Sequence, residues 1–195
     1  MIKIIKSFFV FFALIFIVTT ATGAYLVDST TIPNNQFSIG TWYSPPEIII
    51  NEVYYDVDIP GGQAEWQNEW VEIYNNSSSQ VNLKNWKISD LAGPDRIFLN
   101  DFIIPSKSFA LITNNNSTWS FWPSIPTLTP KYELNANIGS GLNQTSDSVI
   151  LKDDLGNIIS QMSYSSGSDK HSWERSPAVS GNFILNNIPS PGLGI

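Results

Sequence analysis

Residues 69–75, Glu-Trp-Val-Glu-Ile-Tyr-Asn, put Val71 and Ile73 on one side of an extended chain and Glu72 and Tyr74 on the other. A two-residue period belongs to a strand with one face against a core. The polar cluster Asn75-Asn76-Ser77-Ser78-Ser79 then turns the chain, and Trp86 and Ile88 restart the alternation within a second strand expected over residues 81–89. Further β-rich runs follow the same logic. Residues 48–55 are β-branched and aromatic, and shorter apolar runs occur at 97–99, 102–104 and 109–112. Residues 148–152 and 158–164 form a hairpin across Asp153-Asp154-Leu155-Gly156-Asn157, where Gly156 supplies a positive φ. No amphipathic helix interrupts the strands, and Gly, Pro and Asn punctuate them at short intervals. The expectation is an all-β sandwich.

The 195 residues leave room for one domain plus a targeting segment. With 13% aromatic and only 14% charged residues, the chain can build a core and does not read as disordered. It contains no cysteine, which excludes disulfides, thiolate metal sites and a cysteine nucleophile. Lys3 and Lys6 precede an unbroken apolar run over residues 8–18, followed by small and polar residues to Ala24. This is the order of a secretory signal, residues 1–24, with a retained membrane anchor as the alternative. Cleavage after Ala24 would remove two lysines and no acids, moving the formal charge from −7 to −9. An acidic exported protein is a poor partner for nucleic acid, and Arg96 and Arg175 make no basic stripe. Membrane contact is expected only through an uncleaved amino-terminal segment.

Several motifs together carry a family resemblance. Ile50-Asn51-Glu52-Val53, the 69–75 strand, Asn85-Trp86-Lys87-Ile88-Ser89-Asp90, the 153–164 hairpin, Ser172-Trp173-Glu174-Arg175 and Pro189-Ser190-Pro191-Gly192 occur in the order of the lamin tail domain family. Asn85 stands where glycine is usual, and Ser160 replaces an acid. The resemblance implies an immunoglobulin-like two-sheet β-sandwich over residues 47–195, acting as an interaction module. Residues 25–46, with Ala24-Tyr25-Leu26-Val27-Asp28-Ser29 and Asn35-Gln36-Phe37-Ser38-Ile39-Gly40-Thr41, resemble the leader of camelysin-type exported proteins. An extended linker is the plainer reading of the same residues, and Pro45-Pro46 stiffens its end.

Catalysis is not expected. His171 is the single histidine, so any serine–histidine triad would have to use it, and it lies in a segment the family uses structurally. No cofactor is expected, although loop carboxylates at Asp153 and Asp154 would suit calcium, an oxygen-seeking ion. Glu174 and Arg175 read as a buried ion pair or a partner contact. Trp119, Phe121 and Trp122 sit close together on Asn/Ser/Pro-rich chain. They either cap an open end of the sandwich or offer rings to a partner protein or a sugar. Trp66 and Trp70 carry the same ambiguity, with Trp70 expected beneath a neighbouring segment. Asn75, Asn76, Asn115, Asn116 and Asn143 begin Asn-x-Ser/Thr triplets and are candidate glycan acceptors. The functional expectation is an exported or cell-surface module for protein interaction or assembly; the alternative is a carbohydrate-binding module using the Trp119–Trp122 loop.

Overall fold

The computed structural model describes residues 47–58, 65–165 and 170–194. The expected signal and leader, residues 1–46, lie outside the described residues. The chain divides into two units, Met1–Tyr43 and Ser44–Ile195, and every described residue belongs to the second. Among the described residues no helix is long and apolar enough to cross a membrane.

The twelve described strands are β1 (Ile48–Tyr54), β2 (Trp70–Asn75), β3 (Val81–Asn82), β4 (Lys87–Ser89), β5 (Arg96–Ile97), β6 (Ile103–Ile104), β7 (Phe109–Thr113), β8 (Lys131–Glu133), β9 (Ser146–Lys152), β10 (Ile158–Ser165), β11 (Ser172–Ser176) and β12 (Asn182–Asn186). They build a six-stranded sheet in the order β12-β11-β1-β2-β7-β8, a four-stranded sheet β10-β9-β4-β5 and a small pair β3-β6. All pairings are antiparallel except β7 with β8.

The core lies between the sheets. Val53, Val71, Ile73 and Ile112 from the larger sheet meet Ile88, Val149, Leu151 and Met162 from the smaller one, and all are essentially dry. Each fully buried aliphatic side chain contributes about 1.5–3 kcal/mol relative to leaving it in water. Phe98, Phe102 and Tyr132 close one side, with ring centroids 4.9–5.6 Å apart. Trp86 and Ile88 share the inward face as expected.

Two expectations are corrected. The single strand over 81–89 is split, because Trp86 N donates to Leu83 O and Asn85 adopts φ 69°. β3 therefore joins the small pair while β4 enters the four-stranded sheet. A left-handed residue is the usual place for glycine, and asparagine is among the few side chains that tolerate it. The irregular stretch after residue 114 also contains a strand: β8 runs parallel to β7, its register set by Leu111↔Lys131 and Thr113↔Glu133.

Candidate functional site

Strand alternation places Glu72 opposite the core, yet Glu72 is fully buried. Much of the outer face of the six-stranded sheet is covered as well, by two segments far apart in sequence.

The first cover is the aromatic loop. A 3-10 turn over Asn116–Phe121 is capped by Asn115, whose side chain accepts from Ser117 N. Thr118 is buried and pins the turn, its hydroxyl hydrogen-bonded with Thr113 Oγ1 and Asn68 Oδ1 at 3.2 and 3.0 Å. This presents Trp122 edge-on to Tyr54 and Trp70, at 5.3 and 5.6 Å between centroids. Tyr54 and Trp70 stack on each other at 5.5 Å. Trp119, Phe121 and Ile125 complete a second, smaller core over Tyr54, Val57, Trp70 and Leu111. The structure thus brings Trp119, Phe121 and Trp122 together on a sheet face rather than at an open end of the sandwich. Trp70 lies beneath a neighbouring segment, as expected.

The second cover is the carboxyl-terminal strap. Register sets Glu174 opposite Glu52 and Glu52 opposite Glu72, so three carboxylates stand in a row across β11, β1 and β2. Residues 190–192 close over them. Ser190 N donates to Glu52 at 3.2 Å, and Ser190 Oγ donates to Glu174 Oε1 at 3.1 Å. Gly192 N donates to Glu72 Oε2, while Asn51 Nδ2 donates to Glu72 Oε1 at 2.8 Å. Ser172 Oγ donates to Glu52 and Asn186 Nδ2 to Glu174. Desolvation by burial, reinforced by Glu174, raises Glu52 to about 7. Desolvation and then the neighbouring Glu52 raise Glu72 to about 8. Gly192, at φ 84°, lies close against Pro126 and Thr129 of the aromatic loop, so the two covers touch.

The remaining sequence candidates are dispersed. Glu174 and Arg175 are strand neighbours on opposite faces and do not form the expected ion pair. Arg175 instead donates to Ile50 O and Gly181 O and lies 4.1 Å over the Phe183 ring. His171 is half-buried immediately before β11. Asp153 closes its own hairpin, its two oxygens accepting Asn157 N and Asn157 Nδ2 at 2.7 and 2.8 Å. The Asn157 side chain and the turn amides hold the Asp153 carboxyl below its ordinary value. Asp154 is exposed. Among the described residues no three His, Asp or Glu side chains converge as a metal-ligand set.

Asn75 is unavailable as a glycan acceptor in the folded domain. It is fully buried, and its Nδ2 donates to Ser79 O, Ile104 O and Pro105 O at 2.8–3.0 Å. Its Oδ1 accepts from Ser77 N and Oγ. Asn116 and Asn143 are exposed, while Asn76 and Asn115 are half-buried. Because Asn75 knits two turns together and its loss strands buried carbonyls, Asn75→Ala will lower unfolding free energy by about 2–3 kcal/mol in a denaturant titration. A change under about 0.5 kcal/mol would refute that role.

Sequence reading missed one concavity. Trp66 and Glu69 face Asn137, Ser140, Asn143 and Gln144 across an open pocket of about 390 Å³. Its signal was available in part: Trp66 precedes β2 rather than lying within it, which frees its ring from the sheet.

Two packed sheets sharing one dry core define an immunoglobulin-like β-sandwich. The profile of the Lamin Tail Domain family matches residues 42–166, and the chain belongs to that family. No curated protein matches the chain. The match stops short of β11 and β12, which nevertheless complete the same six-stranded sheet.

Proposed function

We propose that this protein is a non-catalytic module, exported or held at the cell surface, that docks an extended segment of a partner protein along β12. The observation that carries this reading is the character of that edge. Among the described strands β12 is the outermost of its sheet, and Asn182-Phe183-Ile184-Leu185-Asn186 contains no charge and no proline. Ile184 and Leu185 are 46% and 40% exposed, and Ile188, two residues past the strand, is exposed as well. Natural sheets blunt open edges with lysine, proline or bulges, and an edge lacking them is a template for strand addition. The amino-terminal apolar run after Lys3 and Lys6 supports export. A saccharide site on Trp119, Phe121 and Trp122 is the weaker reading, since these rings are engaged in roofing Tyr54 and Trp70.

The test is affinity capture from the native cell surface with the full chain and with Ile184→Lys. Lysine there stands opposite Glu174 in register, so the fold is expected to tolerate it. Recovery of a specific protein, reduced about tenfold or more by Ile184→Lys at unchanged Tm, is the expected result. Equal recovery by both chains would refute the edge as the docking surface.

A further inference from the structure

From the geometry around Trp66 we infer a binding site for a neutral saccharide, separate from the aromatic loop and from the β12 edge. Trp66, 46% exposed, forms part of the wall of the pocket. An aromatic face offered to solvent beside a concavity suits the C–H face of a pyranose ring, which is apolar on one side and hydroxyl-bearing around its rim. The opposite lining matches that rim. Asn143 and Gln144 carry amides that both donate and accept, and Ser140 adds a hydroxyl, while the Asn137 amide is held by Asn114 Nδ2 and Ser140 O. At about 390 Å³ the space falls within the ~300–1,000 Å³ typical of small-ligand sites.

The charge pattern narrows the class. Among the described residues Glu69 is the one ionisable group lining the pocket, and both its oxygens accept from Leu142 N at 3.1 Å. A carboxylate at the base disfavours phosphates, sulfates and acidic sugars. A cationic ligand would suit the negative charge, but a single indole does not make the aromatic cage that quaternary ammonium groups require. Amides outnumber charges here, which favours the uncharged polyol.

The site is also built in advance. Arg96 Nε donates to Asn137 O and Gly139 O at 2.9 and 3.1 Å, and Arg96 Nη2 to Gly139 O at 2.7 Å. Asp90 Oδ2 accepts from Ser140 N and Oγ at 2.7 and 2.6 Å. Gly139 lies so close against Asp90 that a side chain would collide with it. Gly141, at φ 113°, leaves the floor open between Asn137 and Trp66. A loop tied at residues 137, 139, 140 and 142 loses little freedom when a ligand arrives, and that matters most for weak ligands such as sugars.

The experiment titrates the full chain with neutral hexasaccharides of glucose, mannose, galactose, xylose and N-acetylglucosamine, read by calorimetry. Saturable binding of at least one, with Kd on the order of 0.1–10 mM, is the expected result. Trp66→Ala should weaken it tenfold or more and Gln144→Ala about threefold or more, both with unchanged Tm, while Trp119→Ala leaves it intact. Three outcomes overturn the inference: no saturable binding up to ~10 mM of any probe, binding that survives Trp66→Ala, or binding of tetramethylammonium in place of the sugars. The β12 reading stands or falls separately, since Trp66→Ala leaves that edge unchanged.

Discussion

Raising the pH from 5.5 to 8.5 will lower the melting temperature by on the order of 10 °C, and cutting the chain after Ile188 will flatten that slope. The cause is the row Glu174–Glu52–Glu72 beneath the strap. Glu52 and Glu72 hold their protons to about 7 and about 8 when folded, against 4.5 for the unfolded chain. Between those limits the folded state binds protons that the unfolded state has released. Their contribution to stability is complete below about 4.5 and is lost as pH rises through 7 and 8, at roughly 1.4 kcal/mol per pH unit for each titrating carboxyl. Asp95, held low chiefly by Lys152, and Asp153, held low chiefly by Asn157, act in the opposite direction. Their stabilisation is present above 3.8 and lost on further acidification. The two sets together place maximum stability near pH 4, between the ordinary values 3.8 and 4.5 of the two carboxyl types.

The groups facing the row explain why the strap is the element that yields. Asn51, Ser172 and Asn186 contact the carboxylates from within the sheet, and Ser190 and Gly192 contact them from above. Ionisation places like charges on adjacent strands in a dry layer, where repulsion and desolvation act together. Lifting residues 190–194 admits water without breaking the sheet. Hydrogen exchange should therefore show Ser190 and Gly192 losing protection at alkaline pH before β1 and β2 do. A flat melting temperature across this range, or a slope unchanged by the truncation, would disprove the account. Glu72→Gln should also flatten the slope. It will lower stability at pH 5 as well, because an amide cannot accept from both Asn51 and Gly192.

The inner half of this fold was legible in the sequence and the outer half was not. Alternation over residues 69–75 identified Val71 and Ile73 as inward, and both are fully buried. The same alternation reads Glu72 and Tyr74 as the outward set, which ordinarily means solvent. Period reports which side chains share a face; it does not report what covers the second face. Here the cover comes from residues 190–192, more than a hundred positions away, and no local pattern carries that information. β12 was hidden for a related reason. Asn182 and Asn186 bracket only three apolar residues, too few to show a period, and pairing with β11 supplies the order. Trp66 and Trp70 were alike in sequence and differ in space, one 46% exposed and the other fully buried. The strand claims Trp70, and the 3-10 turn at Glu65–Gln67 releases Trp66.

That second face has its own keystone, and Trp70→Ala will lower unfolding free energy by about 3–5 kcal/mol in a denaturant titration. Trp70 is fully buried between Tyr54 and Trp122, two rings that cannot both collapse into the space it leaves. Trp70→Phe should lower stability far less, by about 1–2 kcal/mol. The indole N–H of Trp70 has no hydrogen-bond partner among the described residues, so phenylalanine removes an unsatisfied donor while keeping most of the ring. Trp122→Ala separates the roofing role from a recognition role for the aromatic loop. Trp122 is half-buried, its own N–H is likewise unpaired, and its edge meets both Tyr54 and Trp70. Its removal should cost about 1–3 kcal/mol and raise hydrogen exchange across residues 116–125, because the ring ties that loop to the sheet. Partner capture and saccharide binding should both survive it, since neither the β12 edge nor the Trp66 pocket includes this ring. If Trp122→Ala left stability unchanged and abolished binding, the loop would be a recognition surface and the small outer core would not be what holds the second face together.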